Sequence, residues 1–218
     1  FLNGEYWGLY NLQERIDGSY IEEHYGIPKS NVVMLKNKKV VEGEEEDYQL
    51  YAKVVEFAAN NDLSIAENYE IIKKHIDIQS YIDYYCFTIY VANCDSVVNN
   101  YGLWRSKTVK DTGYCDGRWR WILYDTDDSA GMVKLDTMTQ AHVNSFTDGY
   151  QNASPFEDEL FSSLFENEEF RNQFAETFLE MAEINFEPDR VSSMIDQLYM
   201  EYVEGTVLSH QRYISSDY

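Results

Sequence analysis

The segment IQSYIDYYCFTIYVAN, residues 78–93, constrains this chain most. Ile78, Ile82, Tyr85 and Ile89 recur in it at helical spacing and draw one apolar stripe. Asp77 stands where a helix cap belongs. A stripe of that length needs a core to face, so the segment reads as a central helix. The composition can supply that core: 44% of the 218 residues are apolar and 16% aromatic, with 19 Tyr, so 26% charge does not make the chain disordered. The length suits one large domain or two small ones, and no linker stands out, so residues 1–218 read as a single domain.

Charge narrows the partners. A net charge of −22 leaves no basic stripe to neutralise phosphates, which disfavours nucleic acid, and an anionic membrane surface would repel the chain. Basic protein partners suit it. A bound nucleoside triphosphate would need divalent cations to offset the local negative field. The three cysteines form no CxxC pair, so a zinc site is not indicated, and their odd number argues against a disulfide framework. Apolar runs are too short to span a bilayer. The chain opens at Phe1 without Met, inside what reads as a strand, and is expected to be a fragment of a longer protein.

The remaining elements follow from turns and periods. FLNGEYWGLYNLQERID reads as a β-hairpin about Asn3-Gly4, with a second strand running through Leu12. GSYIEEHYG is a short helix ending at Gly26, and NVVMLK is a strand. VEGEEED reads as a solvated acidic loop. Leu50, Val54 and Phe57 mark the inner face of the next helix, and Ser64 with Glu67 forms a capping-box pattern for the one after. YGLWRS and RWRWILYD are strands joined by a hairpin loop, the second with Trp119, Trp121 and Leu123 on one face. Asp128 to Ser154 reads as a long ordered loop. The C-terminal third is helical: Leu160 and Leu164 mark one face, Phe170, Phe174 and Phe178 the next, and Pro188 a helix start. The fold class is α+β, mostly helical, with small antiparallel hairpins.

Two stretches carry chemistry. NCDSVVNNYGLWR follows the central helix, and WRWILYDTDDSAG ends a strand in carboxylates. Asp95 and Asn100 lie five positions apart. Phosphoryl-transfer enzymes of the protein-kinase type use that spacing: the Asp accepts the proton of the attacking hydroxyl and the Asn holds a metal. A strand ending in Asp then supplies a further hard oxygen ligand. Asp125 or Asp127 could serve, with Asn99 or Asn100 completing the shell. Each motif alone is more often a cap or a solvated turn, since Asp and Asn are common in both. Their order, each after an apolar element, puts a functional site level with those readings.

These residues resemble the CotH kinase family, which takes its name from a spore coat protein. FLNGEYWGLYNLQERID is similar to that family's NG-hairpin segment, DIQSYIDYYCFTIYVANCDSVVNNYGLWR to its "n.Ds…hNy" segment, and WRWILYDTDDSAG to its "WDlD" segment. The resemblance implies a kinase-like C-lobe with the N-terminal lobe truncated, residues 1–17 forming the hairpin and inter-lobe segment and 18–218 the helical region. It implies a protein serine kinase using ATP and Mg2+ or Mn2+, acting on serine-bearing protein substrates such as coat proteins, in a spore coat or on a bacterial cell surface. It places the catalytic base at Asp95, metal ligands at Asn100, Asp125 and Asp127, and the adenine beside Leu12, Gln13 and Glu14. Tyr124, Ala130 and Asn99 stand where the family usually has Trp, Phe and His. Lys36 could substitute for the phosphate-binding Lys of an absent lobe, although a surface Lys packing its stem over the sheet is the plainer reading. The competing functions are a catalytically inactive kinase-like scaffold, then a carbohydrate-binding surface of aromatics. Most of the Tyr, among them Tyr81, Tyr85 and Tyr90, fall inside helices and suit a core better.

Overall fold

The computed structural model describes residues 1–93, 96, 99–110, 112–129 and 158–213. The chain divides into two units, Arg15–Leu179 and Phe1–Glu14 with Glu180–Tyr218. The larger unit begins with α1 (Gly18–Tyr25). The Asp17 carboxylate accepts from the Ser19 and Tyr20 backbone N–H groups at its start, and Gly26 ends it in the left-handed region at φ 68°. Then follow β1 (Val32–Lys36), β2 (Lys39–Glu42), α2 (Tyr48–Asn60), α3 (Ala66–Lys73), α4 (Ile78–Tyr90), β3 (Gly102–Ser106) and β4 (Arg120–Ile122). α5 (Glu159–Leu164) and α6 (Glu168–Glu180) come after them in sequence. The strands form one antiparallel sheet in the order β2-β1-β3-β4. The architecture is the mostly helical α+β class that the sequence pattern indicates.

The pleat sorts the sheet's side chains onto two faces. Val32 and Met34 of β1, Trp104 of β3 and Ile122 of β4 pack with Ile21 of α1 on one face. On the other, Trp121 meets Tyr81 of α4 at 4.5 Å between ring centroids, and Tyr51 of α2 at 6.2 Å. Helix α4 is the hub. Ile78, Ile82, Tyr85 and Ile89 are buried as the stripe requires, and so are Tyr81, Tyr84, Cys86 and Thr88. Burying side chains of this size contributes roughly 1.5–3 kcal/mol each. Asp77 caps α4 through the Ser80 N–H, and the Tyr81 and Tyr85 rings pack against Phe161 of α5.

Asp158 joins these layers. Its Oδ2 accepts from the Tyr81 and Tyr85 hydroxyls at 2.9 and 2.5 Å, while Oδ1 accepts from the Leu160 N–H at the start of α5. Burial pushes its pKa up, and the bonds from Tyr85, Tyr81 and the Leu160 amide hold that rise back.

Several local expectations yield to tertiary context. At the N-terminus the Asn3-Gly4 turn forms, with φ of 51° and 85° and reciprocal Leu2–Glu5 backbone bonds, but no second strand continues to Leu12. In that smaller unit, α7 (Pro188–Tyr213) takes up the segment instead. The Tyr6 hydroxyl donates to the Gly205 carbonyl, Arg212 donates to the Tyr6 carbonyl at 2.6 Å, and the Tyr213 hydroxyl donates to the Trp7 carbonyl. Side chains satisfy groups that a strand would have paired. The first two residues of the acidic stretch expected to be a loop, Val41 and Glu42, belong to β2, because Asn37 and Lys38 form a turn with φ of 51° and 61° that folds Lys39–Glu42 back on β1. The inner face of α2 is rotated by one position: Tyr51, Val54 and Ala58 are buried, and Leu50 is exposed. Ser64 caps nothing; its N–H and hydroxyl both donate to Asp62, and α3 starts at Ala66. Strand β4 stops at Ile122, leaving Leu123 exposed.

Beside β4 lies an ion-pair network. The Arg120 guanidinium, almost wholly buried, sits 2.6 Å from Asp116 and 3.0 Å from Asp77, and Arg118 pairs with both carboxylates. Burial alone would raise the Asp116 pKa, but hydrogen bonds from Arg120 and Arg118 outweigh it and lower it from 3.8 to about 2. A folded-state pKa below the unfolded one contributes stability above the unfolded value, which is lost as pH falls through the folded value. The network should therefore contribute on the order of 2 kcal/mol at neutral pH. The stability gap between wild type and Asp116→Asn, read from urea midpoints, should be full above about pH 4 and close towards pH 2.

Candidate functional site

Two loops and a hairpin tip meet at one end of the sheet. The first loop leaves α4, and its turn is abrupt: Ala92 takes φ 50°, a left-handed position where glycine is the usual occupant. Tyr84 then holds the loop from below. Its hydroxyl lies 2.6 Å from the Ser96 carbonyl and 3.2 Å from that of Asn100, so one buried phenol spans the loop. Asp95 falls inside this stretch and lies outside the described residues.

Asn100 is buried, and its Nδ2 donates to the Asp125 backbone carbonyl at 3.1 Å. This bond joins the first loop to the second, which leaves β4. The second loop is strained at the joining point, since Asp125 takes φ 54°. Asp tolerates that region better than most residues, and such outliers gather at functional sites. A second link runs from the Asn93 amide to the Ser129 hydroxyl at 2.9 Å. Asn93 and Asn100 thus each reach from the post-helix loop to the post-strand loop.

The remaining positions sort plainly. Asp125 and Asp127 are both exposed, and Asp127 makes no hydrogen bond or ion pair among the described residues. Asn99 is exposed and receives the Asn37 amide at 3.4 Å. Leu12, Gln13 and Glu14 belong to the smaller unit, where all three are exposed. Lys36 is engaged locally: its ammonium donates to the Ile16 carbonyl at 2.9 Å and lies 4.7 Å from the Tyr124 ring centre. Burial lowers its pKa, helped by Arg15 and opposed by Asp17. Gly102 gives the Tyr124 ring its place, because a Cβ there would stand 2.8 Å from the ring edge.

Amide and carboxylate oxygens are hard donors, which suits Mg2+ or Mn2+ and not a thiophilic metal. Among the described residues no group of three or more His, Cys, Asp or Glu side chains is placed to hold a metal. The residues the sequence singles out, Asn100, Asp125 and Asp127, offer one amide and two exposed carboxylates. Such a set fits a cation that takes one or two carboxylates and completes its shell with phosphate and water.

The family model for CotH kinase protein matches residues 1–214. The chain belongs to the CotH kinase family. A search of curated proteins finds no match, and neither does a search of solved structures. Membership makes the chain kinase-like and gives the paired loops a chemical context. No helix among the described residues is long and apolar enough to cross a membrane.

Sequence reasoning passed over Tyr84, Asn93 and Asn37. Tyr84 looks like one more core aromatic, and nothing in the sequence tells which tyrosine aims its hydroxyl at a loop. Asn37 had a signal, since it lies between NVVMLK and the alternating KVVE, where a turn residue is needed. Tyr84→Phe should fold and retain its packing but leave the Ser96 and Asn100 carbonyls without this donor. It should lose about 1–3 kcal/mol of stability in denaturant unfolding. An unchanged midpoint would show that the loop does not depend on the phenol.

Proposed function

We propose that the protein is an atypical protein serine kinase of the CotH type, using ATP and Mg2+ or Mn2+. The observation that carries this reading is the Asn100–Asp125 hydrogen bond, which joins the two motif loops in a chain of a kinase family. In this reading Asp95 takes the proton of the attacking serine hydroxyl. Asn100, Asp125 and Asp127 supply the oxygens that hold the metal, with Asp125 the principal carboxylate because it lies nearer the strand end. Leu12, Gln13 and Glu14 lie beside the adenine. When bound, the cation offsets the charge of the phosphates, a need that a chain of net charge −22 cannot meet alone. The protein's own part is positioning: the bond from the Nδ2 of Asn100 to the Asp125 carbonyl holds the two motif loops together. The acidic surface suits basic, serine-bearing protein substrates such as coat proteins, in a spore coat or on a bacterial surface.

The test is phosphate transfer from ATP to a basic serine-containing protein by the intact protein. Asp95→Ala should lower transfer by about 10²–10⁴-fold. Asp125→Asn should weaken metal-dependent ATP binding by roughly 10–100-fold. Transfer at the wild-type rate after Asp95→Ala removes the base assignment. ATP binding without transfer in the wild type would make the domain a kinase-like binding module instead.

A further inference from the structure

We propose that Asn37 is a positioning residue for this site, one side chain that sets the loop bearing Asn100 and the strand end bearing Asp125. The inference rests on the reading of the site given above. The β1–β3 ladder ends with Lys36 opposite Gly102. Asn37 comes next, in the left-handed region at φ 51°. Its N–H still donates to the Tyr101 carbonyl at 2.8 Å. Its side-chain Oδ1 then accepts from the Tyr101 N–H at 3.1 Å, in the place of the carbonyl that a continuing strand would offer. The amide adds one rung to the sheet where the backbone has already turned away.

That rung reaches both halves of the site. Oδ1 also lies 3.4 Å from the Tyr124 hydroxyl, and Nδ2 lies 3.4 Å from Asn99 Oδ1. Asn99 and Tyr101 flank Asn100 in sequence, and Tyr124 precedes Asp125. Asn37 therefore acts on Asn100 and Asp125 through their chain neighbours. A residue serving only the hairpin turn would be replaced without loss by glycine, which adopts the left-handed region more readily. Aspartate also tolerates that region and keeps the acceptor, and the Asn99 amide can turn to donate to it.

The two variants separate the roles in the intact protein, with Mg-ATP as the probe by titration calorimetry and amide hydrogen exchange as a ligand-free readout. Asn37→Gly should bind Mg-ATP about tenfold or more weakly, in line with the loss of a supporting partner of a metal ligand. Its melting temperature should stay within a few degrees of wild type, and exchange at the Tyr101 amide should rise roughly tenfold. Asn37→Asp should restore affinity to within about threefold of wild type, since the contacts to Tyr101, Tyr124 and Asn99 survive. Wild-type affinity in Asn37→Gly overturns the proposal. A wild type with no Mg-ATP affinity defeats the phosphotransfer reading alone. Exchange at Tyr101 then decides the role of Asn37, and an unchanged rate in Asn37→Gly overturns it.

Discussion

A helix buried on nearly every side must find a partner for each polar group it carries, and α4 organises the larger unit through that constraint. Its hydroxyls are aimed outward in different directions. Ser80 exchanges hydrogen bonds with the Trp121 backbone of the sheet, at 2.9 Å to its N–H. Thr88 turns back to the Tyr85 carbonyl inside the helix. Tyr81 and Tyr85 converge on Asp158, and Tyr84 reaches the loop after the helix. Leaving any of these groups unpaired in the interior would cost about 1–3 kcal/mol. The polar demands of one apolar helix therefore locate a sheet, a loop and a second helix around it.

The candidate site inherits its geometry from this arrangement. The loop that carries Asn100 starts where α4 ends and is held from inside by a phenol rooted in α4. The strand that delivers Asp125 is fixed to the start of α4 by the Trp119 bonds to His75 and Asp77. Both motif segments are thus referred to the same rigid body, and a backbone carbonyl and an amide can meet there with little left to order on binding. Two left-handed residues, Ala92 and Asp125, bear the cost of bringing the ends of a helix and a strand so close.

Where local chemistry decides, the sequence is legible. Gly26 marks the end of α1, and Asp77 with its isoleucine stripe marks α4. The spacing of Asp95 and Asn100 and the YDTD strand end were visible as candidates for the same reason. What was hidden depends on partners distant in the chain. Trp7 to Leu12 has strand-like residues, but Trp7 meets the Arg212 and Tyr213 side chains of a helix about two hundred positions away. The β2 strand was masked by acidic neighbours, although β1 supplies the pairing that its charge pattern could not advertise. The same holds for Asn37: an Asn in a turn is a local inference, but its bond to Tyr101, 64 residues on, belongs to the assembled sheet.

The carboxylate of Asp158 has a wider consequence. It accepts hydrogen bonds from two phenols of α4 on one oxygen and from the Leu160 amide in the first turn of α5 on the other, so it is shared across a seam. Pulling α5 from α4 would strip a buried carboxyl group of its hydrogen-bond donors before water could replace them. The two helices should consequently melt as a single cooperative block, with no stable intermediate in which the C-terminal part of this unit has peeled away.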